Sequence, residues 1–224
     1  ILELDEDNRT IVVEPGVLLC HLQAYVEERG LFYPPDPAEK NATIGGNIAT
    51  NAGGMRAVKY GVTRDYVLAL EVVTPQGKLL TLGTKCLKDS TGLNLKHLLI
   101  GSEGTLGVIT KCYLRLIDKP ESTCHALVGF KSLNEAIISV NEIKRALLEP
   151  TAIEFVERKV IAIGEEFVGK SFPLSQCTAY LVVTFDGQEG EAHERLLRCA
   201  QVLKEHHDIE FLALDDEQTA NTVW

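Results

Sequence analysis

No stretch of this sequence approaches the roughly 20 apolar residues of a membrane-spanning helix, so no span is expected. There is no CxxC pair and no HxxxH spacing among the six histidines, so no metal site is expected. The glycine-rich stretch from Pro34 to Gly54 is not GxGxxG, and no GK[ST] directly follows it as in a Walker loop. Internal repeats and low-complexity tracts are absent as well. Positive charge is in short supply, with 22 Lys and Arg against 32 Asp and Glu, a formal net charge of −10. That balance argues against nucleic acid or an anionic membrane surface as partner. No Met opens the chain, which begins at Ile1 inside a strand-like run and shows no signal peptide. The expectation is a piece of a longer cytoplasmic protein.

What is present suffices for a large core, since 45% of the 224 residues are hydrophobic. The scattered cysteines Cys20, Cys86, Cys112, Cys124, Cys177 and Cys199 read as reduced thiols, several of them in apolar periodic segments. "ILELDEDNRTIVVEPG" predicts a hairpin and "VLLCHLQAYVEERG" a helix, with Leu18, Leu22 and Val26 on one face and Gly30 closing it. "DYVLALEVVTPQGKLLTLG" predicts a second hairpin, turning near Pro75-Gln76-Gly77. "LNLKHLLIGSEGTLGVITKCYLRLI" predicts a short helix, a glycine turn and a strand over Val108 to Ile117.

The charged segment "DKPES" at Asp118 to Ser122 separates two patterns and marks a boundary, giving domains 1–119 and 120–224. Beyond it, strands "CHALVGF", "TAYLVVTFDG" and "DIEFLALDD" alternate with helices, one opened by Ser132 with Glu135 three residues on, a capping box. "PTAIEFVERKVIAIG" reads as extended structure passing into a helix, and "EQTANTVW" as the opening of a further one. The fold class is α+β, and the second half reads as a ferredoxin-like antiparallel sheet with helices on one face.

The stretch "PPDPAEKNATIGGNIATNAGG", Pro34 to Gly54, suits neither a single helix nor a single strand. Glycine and alanine let a bulky ligand approach the backbone, and exposed N–H groups in such loops can form nests for phosphate or the edge of a heterocycle. A set of tight turns is the plainer reading. A second small-residue loop, "IGSEGTLGVIT" at Ile100 to Thr110, shifts the balance toward a large ligand shared by both.

These two loops, with "KYGVTRDYVLALEVVTPQGK" between them, resemble the FAD-linked oxidases of the vanillyl-alcohol-oxidase type. Within them the sequence looks most like the D-2-hydroxyacid dehydrogenases, a group that includes the FAD subunit of glycolate oxidase, D-lactate dehydrogenases and D-2-hydroxyglutarate dehydrogenase. The resemblance implies the second half of a two-part FAD-binding domain of the PCMH type, followed by a ferredoxin-like cap domain. It implies that Pro35, Asp36, Thr43, Gly45, Gly46, Asn51, Ala52, Gly53 and Gly54 lie along FAD. It also implies that Glu103, Gly104, Gly107, Val108 and Ile109 close round the cofactor from the second loop. The family's pyrophosphate loop and its His/Glu metal and substrate cluster have no counterpart in this sequence, so no catalytic residue is assigned.

The expected activity of the parent is oxidation of a small 2-hydroxyacid, of the glycolate or D-lactate type, by hydride transfer to flavin. An electron-acceptor subunit, either an iron–sulfur protein or an electron-transfer flavoprotein, is the expected partner, and through it a peripheral place at the inner membrane. Self-association of the chain is also expected. The alternative is a non-catalytic module that keeps the fold for subunit association. Arg56, Lys59 and Arg64 are candidates for an acidic substrate or for phosphate, with solvation as the plain reading. Glu103 reads as a cap on backbone N–H groups, His206-His207 as a helix C-terminal charge site, and Glu165 as part of a solvent face.

Overall fold

The structure is a computed structural model that describes residues 1–214; the helix expected at "EQTANTVW" lies outside them. The chain divides into two compact units, Ile1–Lys119 and Pro120–Trp224.

In the first unit, β1 (Glu3–Asp5) and β2 (Thr10–Val13) form the opening hairpin. The Asp5 carboxylate holds its turn, accepting the backbone N–H and the side-chain amide of Asn8 at 2.9 and 2.8 Å. Helix α1 (Leu19–Glu27) buries Leu19, Leu22 and Val26. Leu18, expected on that face, is instead the residue before the helix, extended and bridged to Thr43. After the two-residue β3 (Leu31–Phe32) come α2 (Ile44–Thr50) and α3 (Ala57–Tyr60). Next are β4 (Val67–Val73), β5 (Leu79–Gly83), α4 (Lys96–Leu99) and β6 (Val108–Arg115). The five long strands make an antiparallel sheet in the order β1-β2-β6-β4-β5. Its core holds Ile11, Leu22, Ile48, Leu70 and Leu114, all fully buried.

The strand expected to run on to Ile117 stops at Arg115. Buried Leu116 interrupts it, and β7 (Ile117–Asp118) leaves the sheet to pair with β3. The Arg9 guanidinium fixes that exit by gripping Asp118 at 2.7 and 2.9 Å.

The second unit runs β8 (Ser122–Phe130), α5 (Leu133–Arg145), β9 (Ala152–Glu157), α6 (Arg158–Val168), β10 (Ala179–Gly187), α7 (Glu191–His206) and β11 (Ile209–Leu214). The sheet order β11-β8-β10-β9, antiparallel throughout, is the ferredoxin-like order. Helices α5 and α7 cover one face over Val128, Phe130, Leu181 and Phe185.

The expectation of helices on one face alone is corrected here. Ile161 of α6 packs with Leu127, Tyr180 and Val182 on the opposite face. Cover on both sides explains why eight successive residues of β10, Ala179 to Asp186, are all buried. Glu165 is not a solvent-face charge. Its carboxylate grips Arg158 at 2.6 Å and accepts the Phe172 N–H at 2.7 Å, folding the following loop back under α6. His207 likewise does more than end α7: Nε2 lies 2.8 Å from Glu142 of α5, tying the two helices together.

Candidate functional site

The segment from Pro34 to Asp36 runs buried. Gln23 of α1 reaches it, donating its side-chain amide to the carbonyls of Tyr33 (3.3 Å) and Pro35 (3.1 Å). Helix α1 has no side-chain N-cap. Its leading N–H groups, at Leu19 and Cys20, instead donate to the carbonyls of Ala42 and Lys40 at 2.9 and 3.1 Å. The loop thus finishes the helix while the helix holds the loop.

Helix α2 grows from the next residues. Thr43 is its N-cap, accepting the Gly46 N–H at 3.1 Å. Gly45 lies on Pro15, whose Cβ would be 2.6 Å from any Cβ placed there. At the far end Asn51 turns left-handed, with φ 50°, and its side-chain oxygen accepts the Arg64 N–H at 3.0 Å. The Ala52 carbonyl accepts both the N–H (3.1 Å) and the hydroxyl (2.7 Å) of buried Thr63.

The second loop docks on the open end of that helix. Gly101 N–H donates to the Ile48 carbonyl at 3.0 Å, and Glu103 N–H to the Ala49 carbonyl at 2.8 Å. A helix leaves its last carbonyls without internal donors, and here the second loop supplies them. Glu103 itself is exposed and left-handed at φ 52°, so its backbone rather than its carboxylate makes the link. Gly104 has φ +76°, and a Cβ on Gly107 would come 2.9 Å from the Val73 carbonyl oxygen. Val108 is exposed and Ile109 packs on the core. Both small-residue loops therefore form one continuous surface.

Charge gathers at its edges. Asp36, 4% exposed, pairs with Arg56 at 3.3 Å and with Lys40. Burial, then repulsion from Arg56, lowers the Lys40 pKa. The Arg56 guanidinium also lies over the Phe32 ring, 4.9 Å from its centroid. Burial, then Lys96 and Arg64, push the His97 pKa down, so the imidazole beside these cations favours its neutral form. Burial raises the Tyr66 phenol to about 12 and keeps it protonated. Among the described residues no group of three His, Cys, Asp or Glu is placed to hold a metal ion.

Comparison with known proteins decides the family. Residues 1–83 match the FAD binding domain, and residues 119–224 match the C-terminal domain of FAD linked oxidases. The chain belongs to the FAD-linked oxidases. The cofactor of this family is FAD. This FAD-linked oxidase chain is 43% identical to a D-lactate dehydrogenase of Anaerostipes hadrus, over 100% of its own length and 48% of the relative's. It is 43% identical to glycolate oxidase subunit GlcD of Bacillus subtilis, over 84% of the chain and 40% of that protein. For a D-2-hydroxyglutarate dehydrogenase of Stutzerimonas stutzeri the identity is 38%, over 88% and 43%. The chain thus spans about half the length, or less, of these relatives. An alkyldihydroxyacetonephosphate synthase structure covers 100% of the chain with a TM-score of 0.80 at 22% identity, a likeness of fold.

The residues present fit such a cofactor by one test. Gly54 is demanded by its own chain: φ is +141°, and a Cβ would sit 2.0 Å from the Asp36 carbonyl oxygen. Gly53 is not, because a Cβ there would meet only Val62 Cγ1 at 3.6 Å, ordinary contact. A glycine whose fold does not need it leaves space for something else. Three supports escaped the reading of the sequence: Gln23, Thr63 and the engagement of Asp36 by two cations. Gln23 and Thr63 carried no local signal, since each acts on a carbonyl ten or more residues away.

Proposed function

We propose that the chain is part of an FAD-dependent oxidoreductase that oxidises a D-2-hydroxyacid of the glycolate or D-lactate type to the 2-oxoacid. In this reading residues 1–119 are the second subdomain of the FAD-binding domain and 120–224 the cap domain. The carrying observation is the union of the two small-residue loops through the Gly101 and Glu103 amides, with side-chain space left open at Gly53. The activities of the relatives, D-lactate and D-2-hydroxyglutarate dehydrogenase and a glycolate oxidase subunit, support the substrate class. When bound, FAD supplies the acceptor for the hydride that leaves the substrate carbon.

The chain's own residues then act as a wall. Thr43, Gly45 and Gly46 start α2 along the cofactor; Asn51, Ala52, Gly53 and Gly54 present bare backbone to it. Pro35 and Asp36 back the loop from behind. Glu103, Gly104, Gly107, Val108 and Ile109 close from the second loop. An electron-acceptor subunit, an iron–sulfur protein or an electron-transfer flavoprotein, is the expected partner. The glycolate oxidase relative is itself one subunit of its enzyme, which supports it. Six free thiols support a cytoplasmic setting.

The test uses the full-length protein. Gly53→Val should fold with a melting temperature close to the parent's yet purify without the yellow of bound flavin. Gly54→Ala should lower the melting temperature whether or not FAD is added, since the clash is with the chain itself. Stoichiometric FAD in the Gly53→Val protein would show that these loops only make turns.

A further inference from the structure

The family resemblance places Asp36 among the residues along the cofactor, and in the structure its carboxylate is buried. It is 4% exposed and engaged by two cations, Arg56 at 3.3 Å and Lys40. These partners come from opposite arms of the first loop. Lys40 belongs to the arm that finishes α1, where its carbonyl accepts the Cys20 N–H at 3.1 Å. Arg56 belongs to the arm that follows Gly53 and Gly54, and it is further pinned over Phe32. Between the arms the backbone closes on itself, with Gly54 set against the Asp36 carbonyl so tightly that a Cβ would fall 2.0 Å from its oxygen.

We propose that Asp36 and Arg56 are positioning residues: the ion pair between the buried carboxylate and the half-buried guanidinium latches the two arms of the first loop together and so holds Gly53 in its cofactor-receptive place. The inference rests on the reading of these loops as the cofactor wall. The physics is a balance of three charges. Lys40 and Arg56 are near enough for Arg56 to lower the Lys40 pKa. One carboxylate lies between both and leaves the trio at a single net positive charge; removing it leaves two uncompensated cations facing each other across the joint the loop must close. The arms should then part, carrying Gly53 and Gly54 with them.

The experiment titrates FAD into the apo form of the full-length protein and follows flavin fluorescence. Asp36→Asn should raise the Kd about tenfold to a hundredfold, between the worth of an exposed and of a buried ion pair. Limited proteolysis of the apo form should cut between residues 34 and 56 faster than in the parent. At saturating FAD the visible flavin spectrum should match the parent's, because a latch acts on the loop and not on the ring. Adding Lys40→Gln to Asp36→Asn should recover at least ~threefold in Kd by removing one of the two opposed cations. Packing alone would give no such rescue.

An Asp36→Asn Kd within threefold of the parent, or the absence of rescue, overturns the latch. If Asp36→Asn does not fold, as judged by circular dichroism, Arg56→Gln is read instead: it should raise the Kd about tenfold, and an unchanged value overturns the proposal. Loss of FAD from Gly53→Val alongside a parent-like Asp36→Asn sinks the latch alone. Retention of FAD by Gly53→Val sinks the cofactor reading of the loops.

Discussion

At the scale of single residues, environment rather than identity decides what a side chain does, and the six cysteines show it. Cys112 and Cys199 lie fully buried, and burial raises each thiol to about 12, while Cys86 is exposed. At pH 8 a disulfide reagent should modify Cys86 within minutes and leave Cys112 and Cys199 untouched until the protein is unfolded. Rapid modification of all six in the native state would overturn this. The pH dependence follows from the same shifts. A thiol whose folded pKa lies above its unfolded value of about 9 favours the folded state below pH 9. That contribution is lost as the pH rises from about 9 toward 12, so the melting temperature should fall across that window. Cys112→Ala and Cys199→Ala should flatten the fall. The thiol readings were legible in the sequence because burial follows apolar periodicity. The role of Asp36 was not, because this ion pair depends on where Arg56 arrives from twenty residues on.

At the scale of elements, local signals with local causes were legible. Ser132 caps α5, accepting the Glu135 N–H at 3.2 Å, as the spacing of the two residues predicts. The return half of the capping box is not seen, and Glu135 Oε2 is buried without a hydrogen-bond partner. Ser132→Ala should therefore cost about 1 kcal/mol, read as a lower urea midpoint at constant slope. An unchanged midpoint would show that packing on α7 and the sheet holds α5 without the cap. What the pattern did not reveal is which face of the sheet a helix takes. Helix α6 is amphipathic like α5 and α7, yet it lies on the opposite face, because β9 and β10 are adjacent and antiparallel, and their connection can pass on either side. Leu116 is a similar case. Strand β6 ends just before it, two residues short of Ile117, and nothing in "CYLRLI" distinguishes that leucine from its neighbours.

At the scale of the molecule, the surface of the first unit carries apolar residues that its own sheet leaves open. Val73 of β4 pairs with Leu79 of β5 on one side and with Val108 of β6 on the other. Leu79 and Val108 are 61% and 66% exposed, and Leu98 and Leu106 are also exposed. Strand β5 ends the sheet, so its outer backbone groups are open to pairing too. A row of this kind beside the second loop favours contact with another apolar surface. The 224-residue chain, expressed by itself, offers a second copy as that surface. It should self-associate with rising concentration despite its net charge of −10. Burying one large apolar side chain is worth about 1.5–3 kcal/mol, so losing both Leu79 and Val108 from the contact should weaken association by about a hundredfold or more. The measurement is light scattering across a dilution series of the chain and of a Leu79→Lys, Val108→Lys variant. Circular dichroism would confirm that the variant's sheet is intact. A parent chain monomeric at 100 times the concentration of ordinary assays, or a variant that associates as strongly as the parent, would mean that this face is not the adhesive one.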